Sequence, residues 1–200
     1  MTQKDTAIRH LHKYSNRNPL HQMILGRFFD KVAEEITRLS PLNVLEFGCG
    51  EGLFLQQLKK RNIYFKKLIG IDCRDDAIQY AKSLHPEYDF FKADLLSWSR
   101  PGRSFDLVIA SQVLEHLESP DQFLKRLTYY SRQYLLLTVP LEPWFSLINL
   151  LRGRDILRLG NHPEHINLWR YNQFQRFVSR HARIEESYSI FPFIITIARV

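Results

Sequence analysis

The run Asn43-Val44-Leu45-Glu46-Phe47-Gly48-Cys49-Gly50-Glu51-Gly52-Leu53 leaves a chain few folds to choose from. Val44 to Phe47 is a short apolar run broken only by Glu46, the pattern of a strand buried on both faces. Three glycines at alternate positions follow, and Leu53-Phe54-Leu55-Gln56-Gln57-Leu58 then opens a helical pattern. A strand that turns through glycines into a helix presents bare backbone, and unpaired helix N–H groups, to a ligand. Asp72 stands twenty residues beyond Gly52, at the end of a second apolar run, Leu68-Ile69-Gly70-Ile71. An acid at that offset is placed to accept hydrogen bonds from a ribose diol. The dinucleotide fingerprint G-x-G-x-x-G wants a third glycine where Leu53 stands, which weighs against a nicotinamide cofactor.

The G-x-G-x-G spacing with Glu46 two residues ahead resembles the first motif of the class I S-adenosylmethionine-dependent methyltransferases. The resemblance extends to Phe105-Asp106-Leu107-Val108 and to Leu114-Glu115-His116-Leu117, and by motif it covers about residues 40–140. It implies an α/β fold: a seven-stranded, mostly parallel Rossmann-like sheet with helices on both faces and an antiparallel C-terminal hairpin. It implies S-adenosyl-L-methionine as cofactor. The glycine loop, with Glu46, Gly48 and Gly50, would pass under the amino-acid part, and Asp72 would hold the ribose. Asp94 would accept from the adenine amine while the backbone of Leu95 meets the ring; the lesser alternative for Asp94 is a helix N-cap or turn residue. Phe47, Cys49, Cys73 and Gln112 count with them as cofactor residues. Glu115 and His116 would lie near the methyl acceptor, with His116 the candidate general base, unless both merely orient the loop.

The remaining pattern fits one domain of 200 residues. Residues 1–40 read as a polar leader followed by an amphipathic helix from His21 to Leu39; the resemblance implies that Tyr14 and Arg17 belong to a lid over the site, the alternative being a solvated leader. The apolar positions of that helix, Met23, Ile24, Phe28, Val32, Ala33, Ile36 and Leu39, would pack on the sheet or cover the cofactor. Residues 41–140 form the cofactor-binding core. They carry strands at Leu68–Asp72, Tyr88–Lys92, Phe105–Ser111 and Tyr134–Pro140, with helices opening at Asp75 and at Pro120. Residues 141–170 are a substrate-side insert. Residues 171–200 supply a closing helix, Tyr171–Ser179, and a hairpin of Ile184–Ile190 and Phe193–Ala198.

Within the insert, Trp144, Leu147, Ile148 and Leu151 form an apolar stripe ending in Arg152 and Arg154. Such a stripe suits a greasy substrate channel, an anionic membrane surface or plain packing. His162 and His165, three apart with Glu164 between them, have no third ligand at a helix-compatible offset, and Pro163 blocks a helix there, so no metal is expected. His165 instead joins His116 as a candidate catalytic residue, in a segment similar to the substrate-side insert of small-molecule and lipid-like methyltransferases; it could also simply pin a loop. The net charge of +7 sits in the two flanks. That excess fits an anionic substrate or surface, or ordinary solubility. No run of eighteen apolar residues, no signal-peptide core and only two cysteines point to the cytoplasm. The expected function is methyl transfer to a small-molecule or lipid-like acceptor. The alternatives are an RNA methyltransferase, disfavoured because no Asn-Pro-Pro-Tyr-like segment or RNA-binding module is present, and a cofactor-binding protein without turnover.

Overall fold

The computed structural model describes residues 18–94, 97–144, 146–147 and 166–200. Tyr14, Arg17, Leu95, Ile148, Leu151 and the His162–His165 group lie outside the described residues.

The first helix, α1, spans Pro19–Leu39. It starts two residues earlier than the periodicity suggests, because the Asn18 side chain accepts from the N–H groups of Leu20 and His21 and Pro19 takes the first helical position. Ser40, in left-handed conformation, closes it. The buried face is turned slightly from the expected one. Leu25 and Phe29 join Phe28, Val32, Ala33 and Ile36 inside, while Met23 is exposed. This face packs on the sheet and on its neighbour: Phe28 meets Phe193 and Phe29 meets Phe54.

The other elements follow as β1 (Asn43–Phe47), α2 (Leu53–Lys59), β2 (Lys67–Asp72), α3 (Asp75–Leu84), β3 (Asp89–Lys92) and β4 (Phe105–Ser111). Then come a 3-10 turn at Leu114–His116, α4 (Pro120–Tyr130), β5 (Ser131–Pro140), α5 (Tyr171–Val178), β6 (Arg183–Ile190) and β7 (Phe193–Arg199). Seven strands form one sheet in the order β3-β2-β1-β4-β5-β7-β6. The first five run parallel, and β7 pairs antiparallel with both β5 and β6.

The inner parallel strands carry apolar runs because both of their faces are covered, whereas the edge strand β3 buries only Phe90. On β1, Leu45 and Phe47 point into the cluster built on α4 and α5, and Val44 into the cluster built on α1 to α3. Leu135, Leu137 and Val139 of β5 alternate with Leu136 in the same way. Among the described residues no helix is long and apolar enough to cross a membrane.

Candidate functional site

The order in which strands are added reverses between the parallel neighbours β1 and β4: β2 and β3 are laid to one side, β5 to the other. In open α/β sheets that reversal leaves a crevice outside the carboxyl ends of the strands. Here Phe47 pairs with Ile71 on one side and Ala110 on the other, so Gly48, Asp72 and Ser111 leave the sheet at one level. The sequence-derived candidates on β1, β2 and β4 are therefore brought together.

The glycine turn is fixed from below: the N–H groups of Gly48 and Cys49 both donate to the Ile71 carbonyl, at 2.7 and 3.1 Å. Gly48 has φ +70°, and a Cβ there would stand 2.4 Å from Val113 Cγ2. The loop after β4 is thus seated directly on this glycine. A Cβ on Gly50, at φ +52°, would meet nothing nearer than Arg74 Nη2 at 3.8 Å, so this stretch of backbone is open to close approach.

Asp72 is 9% exposed, and its carboxylate is already aimed. Oδ2 accepts from the Gly50 N–H and Oδ1 from the Arg74 N–H, both at 2.9 Å. A carboxylate has about four acceptor sites, so roughly two remain for a diol. Glu46, 2% exposed on β1, has Oε2 buried with no hydrogen-bond partner. Burial, reinforced by the charge of Asp72, pushes its carboxyl up to about 8. An open glycine turn, a pre-aimed carboxylate and an orphaned buried carboxyl oxygen fit a ligand carrying a ribose and a cationic amine.

The other candidates divide. The Phe47 ring is core, packed on Trp98, Phe123 and Tyr130, so only its main chain can face the crevice. Cys49 is 4% exposed, and burial pushes its thiol well above the ordinary value. Cys73 is exposed, its thiol raised by partial burial and by Asp72. Iodoacetamide should therefore modify Cys73 and spare Cys49 in the folded chain. S-adenosylhomocysteine should slow the Cys73 reaction; equal rates by mass spectrometry would move the site elsewhere. Asp94, exposed beyond β3, accepts from the Ser97 N–H at 3.3 Å, the turn-capping arrangement. The connection that carries it is anchored where Trp98 O receives Arg126 Nη2 at 2.6 Å and the Tyr130 hydroxyl.

On the acceptor side, Gln112 adopts φ +58°, unusual for a residue with a side chain. Its N–H donates to Thr138 O at 2.9 Å and its Nε2 to Thr138 Oγ1 at 3.3 Å. Thr138 Oγ1 also meets Ser111 Oγ at 2.8 Å. His116 is half-buried at the end of the 3-10 turn, and Glu115 is 1% exposed within it. The last residues of the insert wrap this turn. Ile166 and Asn167 donate their N–H groups to Glu115 O, while Asn167 Nδ2 donates to Leu114 O at 3.1 Å and Leu117 O at 2.7 Å. Glu142 N–H donates to Trp169 O at 2.9 Å, so the two ends of the insert are tied together. Glu51, Arg74, Val113, Thr138 and Asn167 were not picked out from sequence. The one local sign was a cation, Arg74, two residues after the acid proposed for the ribose.

Residues 20–185 match the sequence profile of a family described as "Methyltransferase domain". A probable S-adenosylmethionine-dependent methyltransferase of Mycobacterium tuberculosis is 29% identical over 118 residues, covering 59% of this chain and 41% of the relative. A mitochondrial ubiquinone biosynthesis O-methyltransferase of Candida albicans is 31% identical over 140 residues, 63% of this chain and 41% of that protein. The chain thus spans about two-fifths of the length of the curated relatives it matches. Among solved structures, magnesium protoporphyrin IX methyltransferase from Synechocystis, with bound SAH, superposes with a TM-score of 0.72 at 16% identity, over 99% of this chain and 94% of that one. The fold is shared with that enzyme and the profile spans most of the sequence: the chain belongs to the methyltransferase domain family.

Proposed function

We propose that this chain binds S-adenosylmethionine across the carboxyl ends of β1, β2 and β4 and methylates a small organic acceptor, with an acceptor oxygen as the nucleophile. The observation that carries the reading is the Asp72 carboxylate, held by the Gly50 N–H beside an open, positive-φ glycine turn at the point where strand order reverses. Bound there, the cofactor would supply a methyl carbon already activated by its sulfonium.

The protein's own work is to bind, orient and keep water away. Asp72 takes the ribose hydroxyls on its remaining acceptor positions, and Glu46 gives its orphaned oxygen to the cationic amine. Gly48 and Gly50 allow close approach along the turn. Asp94, Leu95 and the main chain near Cys73 are assigned to the adenine. Gln112, braced by Thr138, borders the reacting end. His116, on a turn clamped by Asn167, takes the proton of an acceptor hydroxyl; His165 is the alternative base.

The oxygen acceptor is supported by relatives named for ubiquinone O-methylation. An acceptor with an apolar portion is supported by the exposed rings of Trp144 and Phe191, edge to face at 6.2 Å beyond the carboxyl end of β5. Two free thiols suit a reducing cytoplasm.

Thermal unfolding and calorimetry test the reading directly. S-adenosylhomocysteine at a hundred times its Kd should stabilise the chain by about 2.7 kcal/mol, a rise of several degrees in Tm. Asp72→Ala should abolish that rise. An unchanged wild-type melting curve at saturating ligand removes the proposal.

A further inference from the structure

Three consecutive residues of the glycine turn are each held by a different side chain from the neighbouring β2-α3-β3 segment. Asp72 takes the Gly50 N–H, His85 Nε2 lies 2.9 Å from the Gly52 carbonyl, and Arg74 Nη2 binds Glu51 Oε1 at 2.6 Å. The last contact differs in kind from the other two, because both partners are charged and both are withdrawn from water. The Arg74 side chain is 14% exposed and that of Glu51 5%. Arg74 also lies 3.8 Å from Asp72 Oδ1 and 4.0 Å from Asp76 Oδ2. One guanidinium thus stands among three carboxylates at the mouth of the crevice, with the Glu46 carboxyl behind them.

We propose that Arg74, acting through its ion pair with Glu51, is a positioning residue for the cofactor: it clasps the glycine turn to the turn after β2, so that the Gly50 N–H and the Asp72 carboxylate stay in register for the ribose. This rests on the cofactor reading above and adds to it residues outside the G-x-G-x-G glycines and the ribose acid. The physical reason is the asymmetry of a buried pair. Removing Arg74 leaves the Glu51 carboxylate buried and uncompensated, so it must move toward water, while removing Glu51 unties the clasp although Arg74 keeps Asp72 and Asp76 nearby. Glu51 lies between Gly50 and Gly52, so its departure drags the turn with it and breaks the Gly50–Asp72 bond. An exposed pair of the same length would have little such leverage. The opposing possibility is a brace that stabilises the fold and leaves the crevice indifferent to it.

Titration calorimetry of the full chain with S-adenosylhomocysteine, alongside ligand-free Tm, separates the two. Arg74→Gln and Glu51→Gln should each weaken binding by about tenfold or more, the scale on which contacting pairs couple. The double variant should bind no more weakly than Arg74→Gln alone, since the two residues act as one device. Arg74→Lys, which keeps the charge but not the fork, should recover part of the affinity. A lowered ligand-free Tm with wild-type affinity in Arg74→Gln overturns the proposal, as do losses that multiply in the double variant. Should Arg74→Gln fail to fold, Glu51→Gln and Arg74→Lys carry the comparison, and wild-type affinity in both overturns it. No binding by the wild-type chain removes the cofactor reading and this inference with it. Wild-type binding beside an unaffected Arg74→Gln removes this inference alone.

Discussion

Gly48→Ala is expected to destabilise the chain by about 2–4 kcal/mol, from left-handed backbone strain and from overpacking. The backbone at φ +70° disfavours any side chain, a cost of about 1 kcal/mol. The new methyl would also stand 2.4 Å from Val113 Cγ2, so the loop after β4 must lift. These two contributions can be separated. In a Val113→Ala background the steric part disappears and only the backbone part remains, so Gly48→Ala should cost about 1 kcal/mol there. Urea denaturation of the four proteins gives the coupling. An equal cost of Gly48→Ala in both backgrounds would mean that the β4 loop does not rest on the glycine, and the interlock described above would be wrong. Because the same lift displaces Gln112, the variant should also lose its response to S-adenosylhomocysteine.

Glu46→Gln should make the ligand-free protein more stable than wild type by a margin that widens from pH 5 to pH 8. The folded carboxyl is raised by burial, then by Asp72, from 4.5 to about 8. Between those values the unfolded chain gives up its proton and the folded chain keeps it. The unfolded state then binds fewer protons, so stability falls as pH rises. Below 4.5 the group contributes no pH dependence; above 8 the loss is complete. At about 1.4 kcal/mol per unit the ceiling is on the order of 4–5 kcal/mol. Glutamine does not titrate, so its curve lacks this fall. Thermal denaturation at several pH values reads the difference, and parallel curves would show that Glu46 is not held protonated. The same site predicts a proton released when a cationic amine arrives, visible as a binding enthalpy that changes with buffer in wild type and not in Glu46→Gln.

Much of the scaffold was legible because burial on both faces writes itself as uninterrupted apolar runs. The strand read as Phe105–Ser111 has those bounds in the structure, since Ser104 and Gln112 bracket it with polar turn residues. The strand read from Tyr134 begins at Ser131, because its polar first residues lie at the amino edge, where Ser131 pairs with Phe105 and hydropathy says nothing. The first helix was misjudged at its start for a similar reason: a cap and a proline mark it, not an apolar repeat.

At the crevice, glycines and a single acid at fixed spacing were readable as local chemistry. The Arg74–Glu51 clasp was not, since two charged residues 23 positions apart look like ordinary surface until the β2 turn brings them together. Asn167 was not singled out either, because its partner Leu114 stands 53 residues away. Phe47 was counted with the crevice by proximity in sequence, but alternation along β1 sends its ring to the core.

The placement of β7 has a consequence for how the molecule comes into being. It is the last strand in the sequence, yet it lies inside the sheet, between β5 and β6. During vectorial synthesis the edge of β5 must wait, with its main-chain donors and acceptors open, until Phe193–Arg199 leaves the ribosome. A nascent chain stalled before that point would offer a long apolar edge to any neighbouring strand, so the interval before β7 docks is when this fold most needs a chaperone's cover.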